Sequence, residues 1–184
     1  LEIMCRQYFG PPLIGMDLEV TGSVLQTLHR VRSGHPLTKA AVETALFDAL
    51  GKWYRVPLYC FLGGPYRREI ELVGGLGLDL GPESIGERAG QLKRDGFHAF
   101  KIKIGGKDRK RDVTRVGAVR EAIGAEATIR VDGNAAYSFT EARDVLTELS
   151  RFQIADAEQP LARGDLKSLA ELRGTVGIPM AAQE

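Results

Sequence analysis

The feature that most constrains the fold is a change of rhythm near residue 68. From there on, strand-like and helix-like segments alternate, and the strand starts recur about every 25 to 29 residues, the repeat of a strand–helix–strand unit with parallel strands. E-I-E-L-V-G-G-L-G-L reads as a strand. P-E-S-I-G-E-R-A-G-Q-L-K-R-D-G reads as a helix with Pro82 in its first turn and Gly96 at its stop. F-H-A-F-K-I-K-I-G is the next strand and 108–123 the next helix. A-T-I-R-V-D-G-N follows, then a helix over 138–149 with Ser138 as N-cap and Glu141 as its capping-box partner. F-Q-I-A-D-A-E-Q-P, a shorter helix around 166–172 and G-I-P-M-A-A-Q-E complete the series.

Five strands and four helices in this order predict an α/β protein containing a partial (β/α)8, TIM-type barrel. A closed barrel needs eight strands and typically ~250 residues, so about five strands make a little over half of one. The competing architecture is an open doubly wound sheet, which usually carries a glycine-rich phosphate loop after its first strand. V-G-G-L-G-L-D-L lies at the strand and lacks the G-x-G-x-x-G order. The first 65 residues read differently, as helices. Val24, Leu25, Leu28 and Val31 share one stripe, with Gly34-His35-Pro36 as the stop. A second helix over 39–53 carries Val42, Ala45, Leu46, Ala49 and Leu50, and Pro57 and Gly63-Gly64 rule out more helix. The expected division is therefore 1–65 and 66–184. The chain opens on Leu1 and closes on P-M-A-A-Q-E, a strand followed by nothing, so both ends read as cut.

Charge removes several function classes. The 25 basic and 24 acidic residues are spread along the chain and give a net charge of +1, which leaves no footprint for nucleic acid or an anionic membrane. The basic run at 107–111, K-D-R-K-R, sits where a loop enters a helix and reads as a solvated face. Cys5 and Cys60 lie far apart without neighbouring metal-ligand spacing, as reduced thiols would. The first residues lack a signal-peptide pattern, and no apolar run reaches the ~18 residues needed to span a bilayer. A cytoplasmic location is the expectation.

In a parallel α/β barrel the chemistry gathers at the C-terminal ends of the strands. Those ends carry Lys101 and Lys103, then Asp132 and Asn134, then Glu158, then Glu184. One acidic residue at a strand end is commonly a helix cap or a solvated carboxylate. Three at matching depth on successive strands read instead as hard oxygen ligands of the kind Mg²⁺ requires. Lys101 and Lys103 are two apart and so share one side of their strand, with Phe100, Ile102 and Ile104 on the other. The bland reading is a solvated polar face. The functional reading has one lysine neutralising a substrate carboxylate and the other, its pKa lowered by the adjacent cation, acting as general base on the α-carbon proton.

Several stretches together resemble one family. A-A-V-E-T-A-L-F-D-A-L-G-K-W-Y-R-V-P-L-Y-C-F-L-G-G (residues 40–64) is similar to the signature helix, and the turn after it, of the mandelate racemase/muconate lactonizing enzyme family of the enolase superfamily. F-K-I-K-I-G resembles its K-x-K strand, V-D-G-N its D-x-N and A-E-Q-P its E-Q-P. The resemblance implies that 1–65 is the helical part of an α+β capping domain. It implies a Mg²⁺ cofactor, with Mn²⁺ as an alternative, held by Asp132 and Glu158. It also implies Lys103 as acid/base, Lys101 supporting the substrate carboxylate and Asn134 as a polar neighbour. For the third ligand, relatives end this strand in D-E or G-E; with Gln183-Glu184 here, Glu184 is the implied ligand and the subgroup stays open. The family's second acid/base lies on later strands, beyond residue 184. The implied activity is abstraction of a proton α to a carboxylate through an enediolate, leading to racemisation, epimerisation, cycloisomerisation or dehydration of a small carboxylic acid. A homo-oligomer is expected of the full-length protein. Two other readings stand beside this one: a truncated, catalytically incomplete homologue, and a Schiff-base aldolase using Lys101 or Lys103. His29, His35 and His98 are not spaced as a ligand set.

Overall fold

The computed structural model describes residues 1–106 and 108–183. They form two compact units, Leu1–Ile70 and Glu71–Glu184. The first unit is helical. A short turn, α1 (Glu2–Met4), continues into a π-helical turn over Cys5–Phe9, followed by α2 (Thr21–Val31), α3 (Pro36–Tyr54) and a 3-10 segment over Leu58–Leu62. α2 buries Val24 and Leu28, one helical turn apart. α3 starts three residues earlier than its apolar stripe suggests. Pro36 occupies its first turn, where the missing N–H costs nothing and the fixed φ fits, and His35 before it takes the left-handed conformation at φ 54°. Gly34-His35-Pro36 thus starts α3 as well as stopping α2. At the far end Gly51 has a packing reason to be glycine, since a Cβ there would lie 2.8 Å from the Val56 carbonyl oxygen as the chain folds back.

The second unit alternates β1 (Val73–Leu76), α4 (Pro82–Arg94), β2 (Ala99–Lys103), α5 (Arg109–Ile123), β3 (Thr128–Asp132), α6 (Phe139–Leu149), β4 (Ile154–Glu158), α7 (Leu166–Val176) and β5 (Met180–Ala181). All neighbouring strands pair in parallel, in the order β1-β2-β3-β4-β5. A doubly wound sheet reverses its strand order at a switch point; this one does not, which is the winding of a (β/α) barrel. One face of the sheet forms the core. Phe100, Ile102, Ile129, Val131 and Ala157 pack there with Ile85, Ala89, Val116, Val119, Leu146, Leu149 and Leu172 of the helices. Full burial of a side chain such as Ile102 or Phe100 is worth roughly 1.5–3 kcal/mol. The capping box of α6 forms as its sequence predicts, with Ser138 and Glu141 bonding reciprocally. α7 runs to Val176, four residues past its expected end, and stops at Gly177, which takes φ 68°.

The other face of the sheet carries charge, and one irregularity decides which residues reach it. Between β3 and β4 the register slips: Ile129 pairs with Ile154, but Arg130 pairs with Asp156 and Asp132 with Glu158. Ala155 is the extra residue. Strict alternation from the core residue Ile154 would send Asp156 and Glu158 into the apolar layer; the bulge turns both to the charged face and puts Ala157 in the core instead.

Candidate active site

β2 shows the alternation its sequence predicts. Phe100 and Ile102 are fully buried against the helices, and Lys101 and Lys103 lie half-buried on the opposite face. The register then aligns Lys103, Asp132, Glu158 and Ala181 across the four strands β2 to β5. Lys103 Nζ donates to Asp132 Oδ2 at 2.6 Å and to Asn134 Oδ1 at 2.6 Å. Lys101 Nζ reaches Glu158 Oε2 at 2.6 Å and lies 3.3 Å from Asp132 Oδ2. Four of the candidate residues and Asn134 therefore form one connected group. Glu184 lies outside the described residues.

Asp132 is the centre of this group and is 1% exposed. Burial pushes its carboxyl up, but hydrogen bonds from Lys103, the Asn134 backbone N–H and Lys101 outweigh that, and it is held below its usual value. For Lys101, burial favours the neutral amine, yet its hydrogen bonds to Glu158 and Asp132 prevail and its pKa is raised. In the structure the nearest charges to Lys101 are carboxylates rather than Lys103, so it is held as an ammonium.

Loop geometry fixes the tips. Asn134 and Ala135 take positive φ, 43° and 60°, which turns the chain so that the Asn134 N–H donates back to Asp132 Oδ1 at 3.0 Å. Gly133 donates its N–H to the Glu158 carbonyl, and a Cβ on it would stand 2.8 Å from Pro160 Cα. That close approach is the reason for glycine in V-D-G-N. Gln159, buried beside it, donates to the Leu161 carbonyl and accepts from the Gln183 N–H, linking the tip of β4 to the segment after β5.

The donors suit a hard divalent cation. Two carboxylates from adjacent strand tips converge on a single ammonium, and at least one of them is held ionised although buried. A full ligand set is not present among the described residues, where no three His, Cys, Asp or Glu side chains cluster closely enough to hold a metal.

Sequence reasoning missed two groups. Asp112, Arg115 and Tyr137 form a buried hub behind β2. Arg115 donates to the carbonyls of Leu80 and Lys103, each at 2.9 Å, to the Gly77 carbonyl, and to Asp112 Oδ1 at 3.2 Å. Asp112 Oδ2 accepts from the N–H groups of Gly105 and Gly106 and from the Tyr137 hydroxyl. Burial, then the Asp112 charge, raises the Tyr137 pKa far above the usual phenol value, so the hydroxyl remains a donor. The available signal was a pair of charged residues at core positions of α5, in line with Val116 and Val119. The second group is Arg130 and Asp156, whose Nε and Oδ2 are 2.7 Å apart on the charged face. Arg130 has the parity of Asp132; Asp156 gets there only through the bulge.

Residues 84–184 match the enolase C-terminal domain-like family and residues 1–63 the N-terminal domain of mandelate racemase / muconate lactonizing enzyme. The D-Ala-D/L-Ala epimerase of Cytophaga hutchinsonii is 32% identical over 179 residues, covering 97% of this chain and 48% of that protein. Among solved structures, dipeptide epimerase from Cytophaga hutchinsonii, complexed with Mg and the dipeptide D-Ala-L-Val, superposes with a TM-score of 0.82 at 31% identity, over 97% of this chain and 48% of that one. The 2-chloromuconate cycloisomerase from Rhodococcus opacus 1CP gives a TM-score of 0.85 at 32% identity, over 97% and 49%. The chain spans about half the length of the curated relatives it matches. Among the described residues, no helix is long and apolar enough to cross a membrane.

Proposed function

The chain belongs to the mandelate racemase/muconate lactonizing enzyme family of the enolase superfamily, and on that premise we propose that it carries the metal- and base-bearing part of an enzyme that abstracts the proton α to a carboxylate. The outcome is racemisation, epimerisation or cycloisomerisation of a small carboxylic acid, with dehydration as a further route. The observation that carries the reading is the interlocked group at the strand tips, in which Lys101 and Lys103 are each bonded to a carboxylate suited to a metal. Asp132 and Glu158 would hold Mg²⁺, or Mn²⁺ in its place, with Glu184 as the implied third ligand. When bound, the ion supplies positive charge beside the substrate carboxylate as negative charge builds on it.

The chain's own residues then divide the work. Lys103 takes the α-proton as general base. Lys101 neutralises the substrate carboxylate, and Asn134 orients the Lys103 amine through its side-chain oxygen. With Asp132 and Glu158 engaged elsewhere, the two lysines lose their counter-charges and stand two residues apart on one strand face. Their mutual repulsion favours one neutral amine, which a general base needs. A Schiff-base aldolase using Lys101 or Lys103 is less well supported, because it has no need of the carboxylates that converge on both lysines. A homo-oligomer and a cytoplasmic location belong to the same proposal.

Calorimetric titration of Mg²⁺ into the chain, beside Asp132→Asn and Glu158→Gln variants, tests the reading. Binding that both substitutions abolish supports it. Binding unchanged by either, or no binding to a chain shown by circular dichroism to be folded, overturns it.

A further inference from the structure

Three cations and three carboxylates share the charged face of β2, β3 and β4, in two levels. Lys103, Asp132 and Glu158 register at the strand tips; Lys101, Arg130 and Asp156 register one level below. The pairing does not follow the levels. Lys101 bypasses Asp156, at its own level on β4, and bonds Glu158, two residues further along the same strand. Strands lie about 4.8 Å apart and rise about 3.3 Å per residue, so Glu158 is as far across as Asp156 and about 6.6 Å further along. Of the two β4 carboxylates, Asp156 is the nearer by backbone position.

Arg130 stands between them on β3 and occupies Asp156 through its Nε, 2.7 Å from Oδ2. The Asp156 side chain is 16% exposed and that of Arg130 49%, so the carboxylate is the more enclosed partner. We propose that Arg130 is a positioning residue: by satisfying Asp156 it keeps the Lys101 ammonium at the strand tips, against Glu158 and Asp132, rather than one level down. The bulge at Ala155 gives this its purpose, since the same register slip that delivers Glu158 to the site also brings Asp156 to the charged face as a competing acceptor. The significance for catalysis rests on the proposed metal and base roles; the steering itself is a matter of which carboxylate Lys101 takes.

The experiment is structural and needs neither metal nor substrate. Crystal structures of the chain would be determined for wild type, Arg130→Met, Arg130→Leu and the double variant Arg130→Met/Asp156→Asn. The two Arg130 variants present the same choice to Lys101, so either suffices if the other does not fold. Loss of the Lys101–Glu158 contact and a new Lys101–Asp156 contact is the expected result in both, with the Glu158 contact restored in the double variant. Acetic anhydride labelling of Lys101, read by mass spectrometry, checks this in solution: labelling should fall in the single variants and return in the double. Lys101 still on Glu158 in an Arg130 variant overturns the inference, as does failure of the double variant to restore it. Movement of Lys101 together with absent Mg²⁺ binding would sink the functional proposal and leave the steering intact.

Discussion

Two clusters of charge meet at the tip of β2 and share one residue. The backbone oxygen of Lys103 accepts from Arg115 in the hub behind the strand, and its side chain bonds Asp132 and Asn134 in the candidate site. The hub is closed. Asp112 and Arg115 are 2% and 1% exposed, and their charge-assisted bonds run mostly to backbone groups at the ends of β1 and β2. The site is open by comparison: its two lysines are partly exposed, and both converge on the single Oδ2 of Asp132. A cluster whose charges are neutralised within fixed backbone fixes geometry. One whose cations compete for shared carboxylates can release them to a ligand.

The largest effect should come from removing Arg115. Arg115→Met leaves Asp112 buried without its cation and should cost about 3–5 kcal/mol in urea unfolding, the range for breaking a buried pair from one side. A cost under about 1 kcal/mol would mean that the hub is no more structural than the site, since partly exposed pairs are worth that little. Lys103→Met sharpens the contrast from the other side. Stability should fall less than in Arg115→Met, because Lys101 still pairs with the buried Asp132, whereas, on the proposed base role of Lys103, deuterium exchange of a carboxylate substrate's α-proton should fall about 10²–10⁴-fold, the usual contribution of a positioned base. Equal loss of stability in the two variants would make Lys103 a structural residue.

Tyr137→Phe is a gentler probe of the hub. It deletes the hydroxyl donated to Asp112 while Gly105 keeps its bond to the same carboxylate, so a loss of about 1.5 kcal/mol is expected by chemical denaturation, near the lower end for a hydrogen bond to a charged group. The smallest effect should appear only in acid. The folded-state pKa of Asp132 is depressed below 3.8, so its contribution is complete above that value and is lost as pH falls through the folded pKa. Lys101 is raised above 10.5, so its contribution is complete below that and is lost only at higher pH. Between pH 7 and pH 3 the urea midpoint of wild type should therefore drop more steeply than that of Asp132→Asn. Parallel curves would show that the open site contributes nothing to acid stability.

Much of this was legible in the residues. The recurrence of strand and helix marked the barrel winding, because βα repeats leave a periodic apolar pattern whatever the loops do. F-K-I-K-I declared its own two faces, since side chains on a strand alternate and only one face here can be apolar. V-D-G-N and A-E-Q-P located Asp132 and Glu158 at strand tips. The hub was harder to see: Asp112 and Arg115 lie among seven charged residues at 107–115, and nothing in composition separates a buried pair from solvated neighbours.

By itself, then, the sequence determined the order and type of the elements from β1 to β5, the apolar side of β2, and which side chains stand at the strand ends. These follow from local periodicity and turn chemistry, which act over a few residues. Only the tertiary structure decided the register slip at Ala155, which carboxylate each lysine takes, and that Asp112 and Arg115 are enclosed. Those depend on groups distant in the chain meeting in space, such as Arg130 and Asp156, 26 residues apart, and Lys101 and Glu158, 57 apart, where hydrogen-bond geometry, burial and competition between charges choose among partners that the sequence leaves equivalent.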